Sequence, residues 1–102
     1  MLVMVTGTYP LIRSKEVAEA FLKAMEEPMS YAKSQGMWLA YGGEGANFWM
    51  IFELEKGHEK DALRELVKFE FNFYNIEGYK VIFQTVMKPE DAMVLMGMAP
   101  PS

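Results

Sequence analysis

The chain has 102 residues, 51% of them hydrophobic and 24% charged, with a formal net charge of −4. That length sustains one hydrophobic core and excludes two, and the balance of apolar to charged residues excludes a disordered tail or a fibrous repeat. Lysines and arginines are scattered among acids, which excludes the basic strip of a nucleic-acid binder. The absence of cysteine removes disulfides, thiolate nucleophiles and Cys-based metal centres together, and the lone His58 cannot build a multi-histidine metal site.

In chain order, Leu2 to Tyr9 is rich in β-branched residues and stops at Pro10, the pattern of a first strand. Its apolar start is short, has no early Lys or Arg and reaches no small-residue cleavage site, so it reads as a strand and the protein is expected to be cytoplasmic. A helix follows, with Ser14 as its expected N-cap, Glu16 in its first turn and Val17, Phe21 and Met25 with Ala18 and Leu22 as its apolar stripe. Glu19 and Lys23 lie four apart on the outer side, the spacing of a supporting ion pair. Pro28 breaks this helix, Tyr31 and Ala32 can add a turn, and Gly36 closes the connection.

Met37 to Gly42 and Ala46 to Glu55 then form two strands around Gly43, Glu44 and Gly45, a hairpin turn. From His58 the spacing of Ala62, Leu63, Leu66, Val67 and Phe69 predicts a second helix, extending to about Tyr74. Tyr79 to Met87 reads as the last strand, and Pro89 opens a short final helix whose segment Ala92 to Met96 is apolar on almost every side. No apolar stretch approaches the ~20 residues of a membrane span.

The order strand, helix, strand, strand, helix, strand predicts an α+β fold of ferredoxin-like βαββαβ topology: one domain over 1–102, with its core in 1–88 and a C-terminal helix and tail in 89–102. Both helices cover one face of a four-stranded antiparallel sheet and leave the other open. On the third strand Phe48, Met50, Phe52 and Leu54 face the helices, so Trp49, Ile51 and Glu53 with Asn47 point the other way. With Trp38, Ile82 and Val86 beside them, that face exceeds the apolar patch a monomer usually exposes, which predicts a homodimer through the open face. Which face of the first strand is buried stays open, because Leu2 and Met4 compete with Val3 and Val5.

The stretch Gly36-Met37-Trp38, the turn Gly42-Gly43-Glu44-Gly45, the apolar strand ending at Glu53 and the closing strand before Pro89-Glu90-Asp91 resemble the dimeric α+β barrel superfamily, in an uncharacterised bacterial branch of small single-domain proteins. In that branch a histidine often follows the tryptophan matching Trp38; here the position is Leu39. The resemblance implies the fold, a dimer and a cavity between sheet and helices. It implies no one reaction, since the superfamily includes haem-binding proteins, cofactor-free monooxygenases and isomerases.

For chemistry, Glu53 and His58 are the two candidates. Glu53 beside indoles would have its pKa raised by desolvation and could act as a base, against the simpler reading of a solvated strand end. His58 has the imidazole of an acid, base or axial haem ligand, but it lies in a charged helix start. Trp38, Trp49, Glu53, Lys80 and Gln84 are the expected ligand-facing set, and a Glu53–Lys80 ion pair would explain the two charges without a substrate. The Gly42–Gly45 run lacks the Lys-Ser or Lys-Thr and the helix of a phosphate loop, and no Ser-His-Asp set is available. Expected, then, is a homodimer without cofactor or metal, of no assigned activity, with a small apolar molecule between sheet and helices. Alternatives are a cofactor-independent monooxygenase- or isomerase-like enzyme on a small aromatic or carbonyl compound, and a haem-binding protein.

Overall fold

Strict alternation along the segment Gly45–Leu54 decides the architecture. Ala46, Phe48, Met50, Phe52 and Leu54 are buried while Asn47, Trp49 and Glu53 are exposed, so this strand has one face against helices and one uncovered. The computed structural model describes residues 1–43 and 45–98; Glu44 of the expected hairpin turn and the tail from residue 99 lie outside the described residues. Its elements are β1 (Leu2–Pro10), a 3₁₀ turn (Leu11–Arg13), α1 (Ser14–Ala24), β2 (Ala32–Gly42), β3 (Gly45–Leu54), α2 (Glu59–Glu70), β4 (Lys80–Val86) and α3 (Pro89–Leu95). The sheet order is β2-β3-β1-β4, every neighbouring pair antiparallel.

Register settles the face of β1 that the sequence left open. Val3 lies opposite Phe52, Val5 opposite Met50 and Tyr9 opposite Ala46, so Val3, Val5 and Tyr9 join the core while Leu2 and Met4 turn away. Gly7 lies opposite Phe48, and a Cβ there would overlap the Phe48 ring and the Lys80 carbonyl oxygen. Gly7→Ala is therefore expected to cost about 2 kcal/mol by overpacking, read as a lowered urea midpoint.

Five expectations are corrected. The core-facing stripe of α1 is Ala24, buried, with Val17, Ala20 and Phe21, partly buried, whereas Ala18, Leu22 and Met25 are exposed: two alanines let the helix approach the sheet more closely than Leu or Met would. Ser14 is the first helical residue and not a cap; its hydroxyl donates to the Leu11 carbonyl at 2.7 Å. Glu19 and Lys23 form no ion pair; the start of α1 is held instead by Arg13, which reaches Glu16 at 2.7 Å and Glu77 at 3.2 Å. β2 starts at Ala32, five residues before the expected Met37, and absorbs a bulge between Ser34 and Gly36. α2 ends at Glu70, and the chain then turns so that Phe73 and Ile76 still reach the core.

The segment before β2 is tied to α2 by one carboxylate. Glu65 accepts from the backbone N–H groups of Ser30, Tyr31 and Ala32 at 2.6, 2.7 and 3.0 Å.

The molecule measures 18 Å across its thinnest dimension and 48 Å across its longest, with a radius of gyration of 15.7 Å against about 13 Å for a compact domain of this length. One sheet and one helical layer account for the thin axis. α3 buries none of its residues, and Val94 and Leu95 are exposed, so it does not cover the open face of the sheet.

Candidate functional site

α1 packs on the core side of the sheet through Val17, Ala20, Phe21 and Ala24 and leaves the helix-facing side of β2 incompletely roofed. Met37, Leu39 and Tyr41 lie on that side, paired with Met50, Phe48 and Ala46 of β3, yet all three remain exposed. Between them and α1 lies a groove of about 270 Å³. Val17, Phe21 and Leu22 form its helical wall, Met37, Leu39 and Tyr41 the wall facing it, Phe48 and Met50 its floor, and none of its lining side chains is charged.

Polar groups gather at Tyr9, Tyr41 and Tyr79, all of which line this groove. Tyr79 stacks on Phe73 with ring centres 5.0 Å apart and on Phe48 at 5.7 Å. Its hydroxyl donates to Glu70 Oε2 at 2.7 Å. Glu70 is 9% exposed, and its other oxygen, Oε1, is buried without a hydrogen-bond partner. Burial raises the Glu70 pKa above the usual carboxylate value, opposed by the Tyr79 hydrogen bond. Burial also raises Tyr79, reinforced by the negative charge of Glu70. Tyr9 is pushed up to about 12, again by burial first and then by the neighbouring Tyr41 hydroxyl. Tyr9 and Tyr79 therefore stay protonated at physiological pH.

The raised Glu70 value fixes the sign of a pH effect. The neutral carboxyl is favoured in the fold, so its contribution is fully present below the unfolded value of 4.5 and is lost as pH rises through the raised native value. Glu70→Gln, which stays neutral, is expected to be more stable than the parent at pH 8 and to lose that advantage towards pH 4.5. Urea midpoints measured for both proteins across this range check it.

The residues singled out from sequence lie elsewhere. Trp38, Trp49, Glu53, Lys80 and Gln84 all share the sheet face away from the helices, by the register of their strands, and none lines the groove. Trp38 and Trp49 are directly opposite each other on β2 and β3. Trp49 and Lys80 border a shallow hollow with Thr6, Thr8 and Ile82. Glu53 lies opposite Leu2, whereas Lys80 lies opposite Thr8 at the other end of β1. The intrachain Glu53–Lys80 ion pair is thus corrected: six residues of extended strand, about 20 Å, separate the two, and Glu53 instead meets the chain's amino terminus at 3.7 Å.

His58 stacks on Tyr31 with ring centres 4.3 Å apart, its Nδ1 faces Asp61 at 3.3 Å and its Nε2 faces Glu55 at 3.9 Å. Both ring nitrogens are turned to carboxylates, not to an apolar slot that could take a haem. Among the described residues no group of three His, Asp or Glu side chains could hold a metal ion, and no helix is long and apolar enough to cross a membrane.

The sheet order, with both helices packed on one face, makes this a ferredoxin-like α+β protein. No protein-family model matches the chain, and no curated protein does. Among solved structures, the de novo designed protein Foldit4 superposes with a TM-score of 0.54 and 10% identity, covering 85% of this chain and 96% of that one. A protein of Thermus thermophilus, described as a putative PII-like signalling protein, is 20% identical over 81% of this chain and 82% of its own, with a TM-score of 0.37. The first likeness concerns fold alone, and the second is too loose to carry an argument.

Proposed function

We propose that this chain is a homodimeric binding protein of the dimeric α+β barrel kind, which pairs through its open sheet face and holds one small, largely apolar molecule in the groove beneath α1. The observation that carries the reading is the groove itself. It is an uncharged, aromatic- and methionine-lined recess of about 270 Å³, whereas an apolar cavity of about 150 Å³ suffices for benzene. A few convergent polar groups in an otherwise apolar recess are the usual make-up of a small-molecule site.

The dimer is supported by the opposite face. Trp38, Trp49 and Ile82 expose 53%, 39% and 60% of their surface there, along one transverse row through Thr6. A two-fold partner laid on that row removes the apolar surface from water and leaves the groove, on the far side of each sheet, free.

Native mass spectrometry of gently purified protein tests both halves: a dimer retaining a discrete small mass is the expected result. Titration with ethylbenzene, followed by amide chemical shifts, locates the site. Ala18→Trp fills the groove from an exposed position of α1 and is expected to abolish those shifts without unfolding the chain; shifts that persist in this variant would place the ligand elsewhere.

A further inference from the structure

Resting on the groove reading, we propose that the ligand is a neutral carbonyl compound, whose apolar body lies against α1 and whose oxygen accepts hydrogen bonds from Tyr79 and Tyr9. Three observations lead there. The groove is lined by three phenols and by no Lys, Arg or His, so nothing in it neutralises a carboxylate or phosphate. Behind it stands Glu70, a carboxyl that in neither protonation state offers an anion a positive charge. And Glu70 is nine-tenths buried with one oxygen lacking any partner, a polar centre that the packing of the core does not require.

The Glu70–Tyr79 contact has two arrangements. With Glu70 ionised, the Tyr79 O–H is committed to Glu70 Oε2 at 2.7 Å, and Tyr79 offers the groove only lone pairs. With the proton on Glu70 Oε2, the carboxyl donates to Tyr79 Oη, and the phenol hydrogen is released to turn into the groove. Burial of an unpaired oxygen disfavours the ionised form, and a hydrogen-bond acceptor in the groove selects the second arrangement by taking the released phenol hydrogen. Tyr79 then acts as a donor at the end of an apolar slot. Stacking against Phe48 and Phe73 fixes the plane of its ring, and Tyr9, itself packed on Phe48 at 6.3 Å, supplies a second hydroxyl. A site built to donate hydrogen bonds discriminates strongly against an analogue that cannot accept them, because its own polar groups are then left unpaired.

The probes are acetophenone, ethylbenzene and benzoate, similar in shape but presenting a neutral acceptor, no acceptor and an anion. Binding is followed by amide chemical shifts and by calorimetry on the full chain. Acetophenone is expected to bind at least tenfold tighter than ethylbenzene, and benzoate not to bind. Tyr79→Phe keeps the stacked ring and is expected to bring acetophenone and ethylbenzene within twofold of each other by weakening acetophenone. Tyr9→Phe, at a separate position, is expected to reduce the preference partially and serves if the first variant folds poorly. Equal binding of acetophenone and ethylbenzene to the parent, a preference surviving in both variants, or benzoate binding as tightly as acetophenone would each overturn the assignment of ligand class and leave the groove standing. Failure of both neutral probes to bind removes the groove reading, and this inference with it.

Discussion

Trp49→Lys is expected to leave the chain monomeric at concentrations where the parent sediments as a dimer. A tryptophan side chain presents on the order of 250 Å², and Trp49 is 39% exposed, so each copy would bring about 100 Å² of indole to the proposed interface. At ~25 cal/mol per Å² this is worth about 2.5 kcal/mol per copy, and two-fold symmetry doubles it. A loss of about 5 kcal/mol raises the dissociation constant more than a thousandfold, and the new ammonium adds its own desolvation cost. Met37→Lys is the control. Met37 neighbours Trp38 on β2 but points to the helix side, into the groove, so its replacement is expected to spare the dimer and impair ligand binding. Sedimentation velocity on the two variants separates the faces; a parent that sediments as a monomer at every concentration would refute dimerisation.

The sheet was legible because β3 announces it. Phe48, Met50, Phe52 and Leu54 alternate with polar or outward residues, and the turn glycines fix where the hairpin closes; Gly43 adopts a φ of 59°, a left-handed conformation that favours glycine. The beginning of β2 was not legible. Lys33, Ser34 and Gln35 are exposed, and an edge strand hydrogen-bonded on one side only has no apolar period to display. The rotation of α1 was misread for a related reason. Hydrophobic stripes are usually traced through the largest residues, but Ala20 and Ala24 face the sheet because they are small, which turns Leu22 towards the groove.

The candidate site was legible only in outline. The resemblance to the dimeric α+β barrel proteins implied a cavity between sheet and helices, yet the tryptophans drew attention to the opposite face. Glu65 and Glu70 look like the solvated acids of any amphipathic helix. For Glu70 a signal was present: it follows Leu66 by four residues and Leu63 by seven, on the same stripe as Ala62, Leu66 and Phe69. A carboxylate on the apolar face of a helix needs a partner, and the last strand begins beside Tyr79, whose hydroxyl provides it.

Glu65→Ala is expected to destabilise the protein by about 3 kcal/mol. Hydrogen bonds to a charged acceptor are worth roughly 1.5–3 kcal/mol each, and Glu65 takes three from consecutive backbone N–H groups, part of which water recovers at the exposed Ser30. At 4–8 °C per kcal/mol for a domain of this size, the melting temperature falls on the order of 15 °C. Glu65→Gln recovers little of this, because its NH₂ group meets a backbone donor where the second carboxylate oxygen accepted. The local consequence distinguishes this anchor from any other core contact. Amide exchange at Ser30, Tyr31 and Ala32 is expected to accelerate under native conditions, ahead of global unfolding. β2 is an edge strand, tied to the sheet only through β3, and its far half carries Met37, Leu39 and Tyr41, one wall of the groove. Releasing its start lets that wall move away from α1, so the variant is also expected to bind ethylbenzene more weakly at temperatures where it is still folded. Unchanged affinity together with accelerated exchange would show that the β3 pairing alone holds the wall in place.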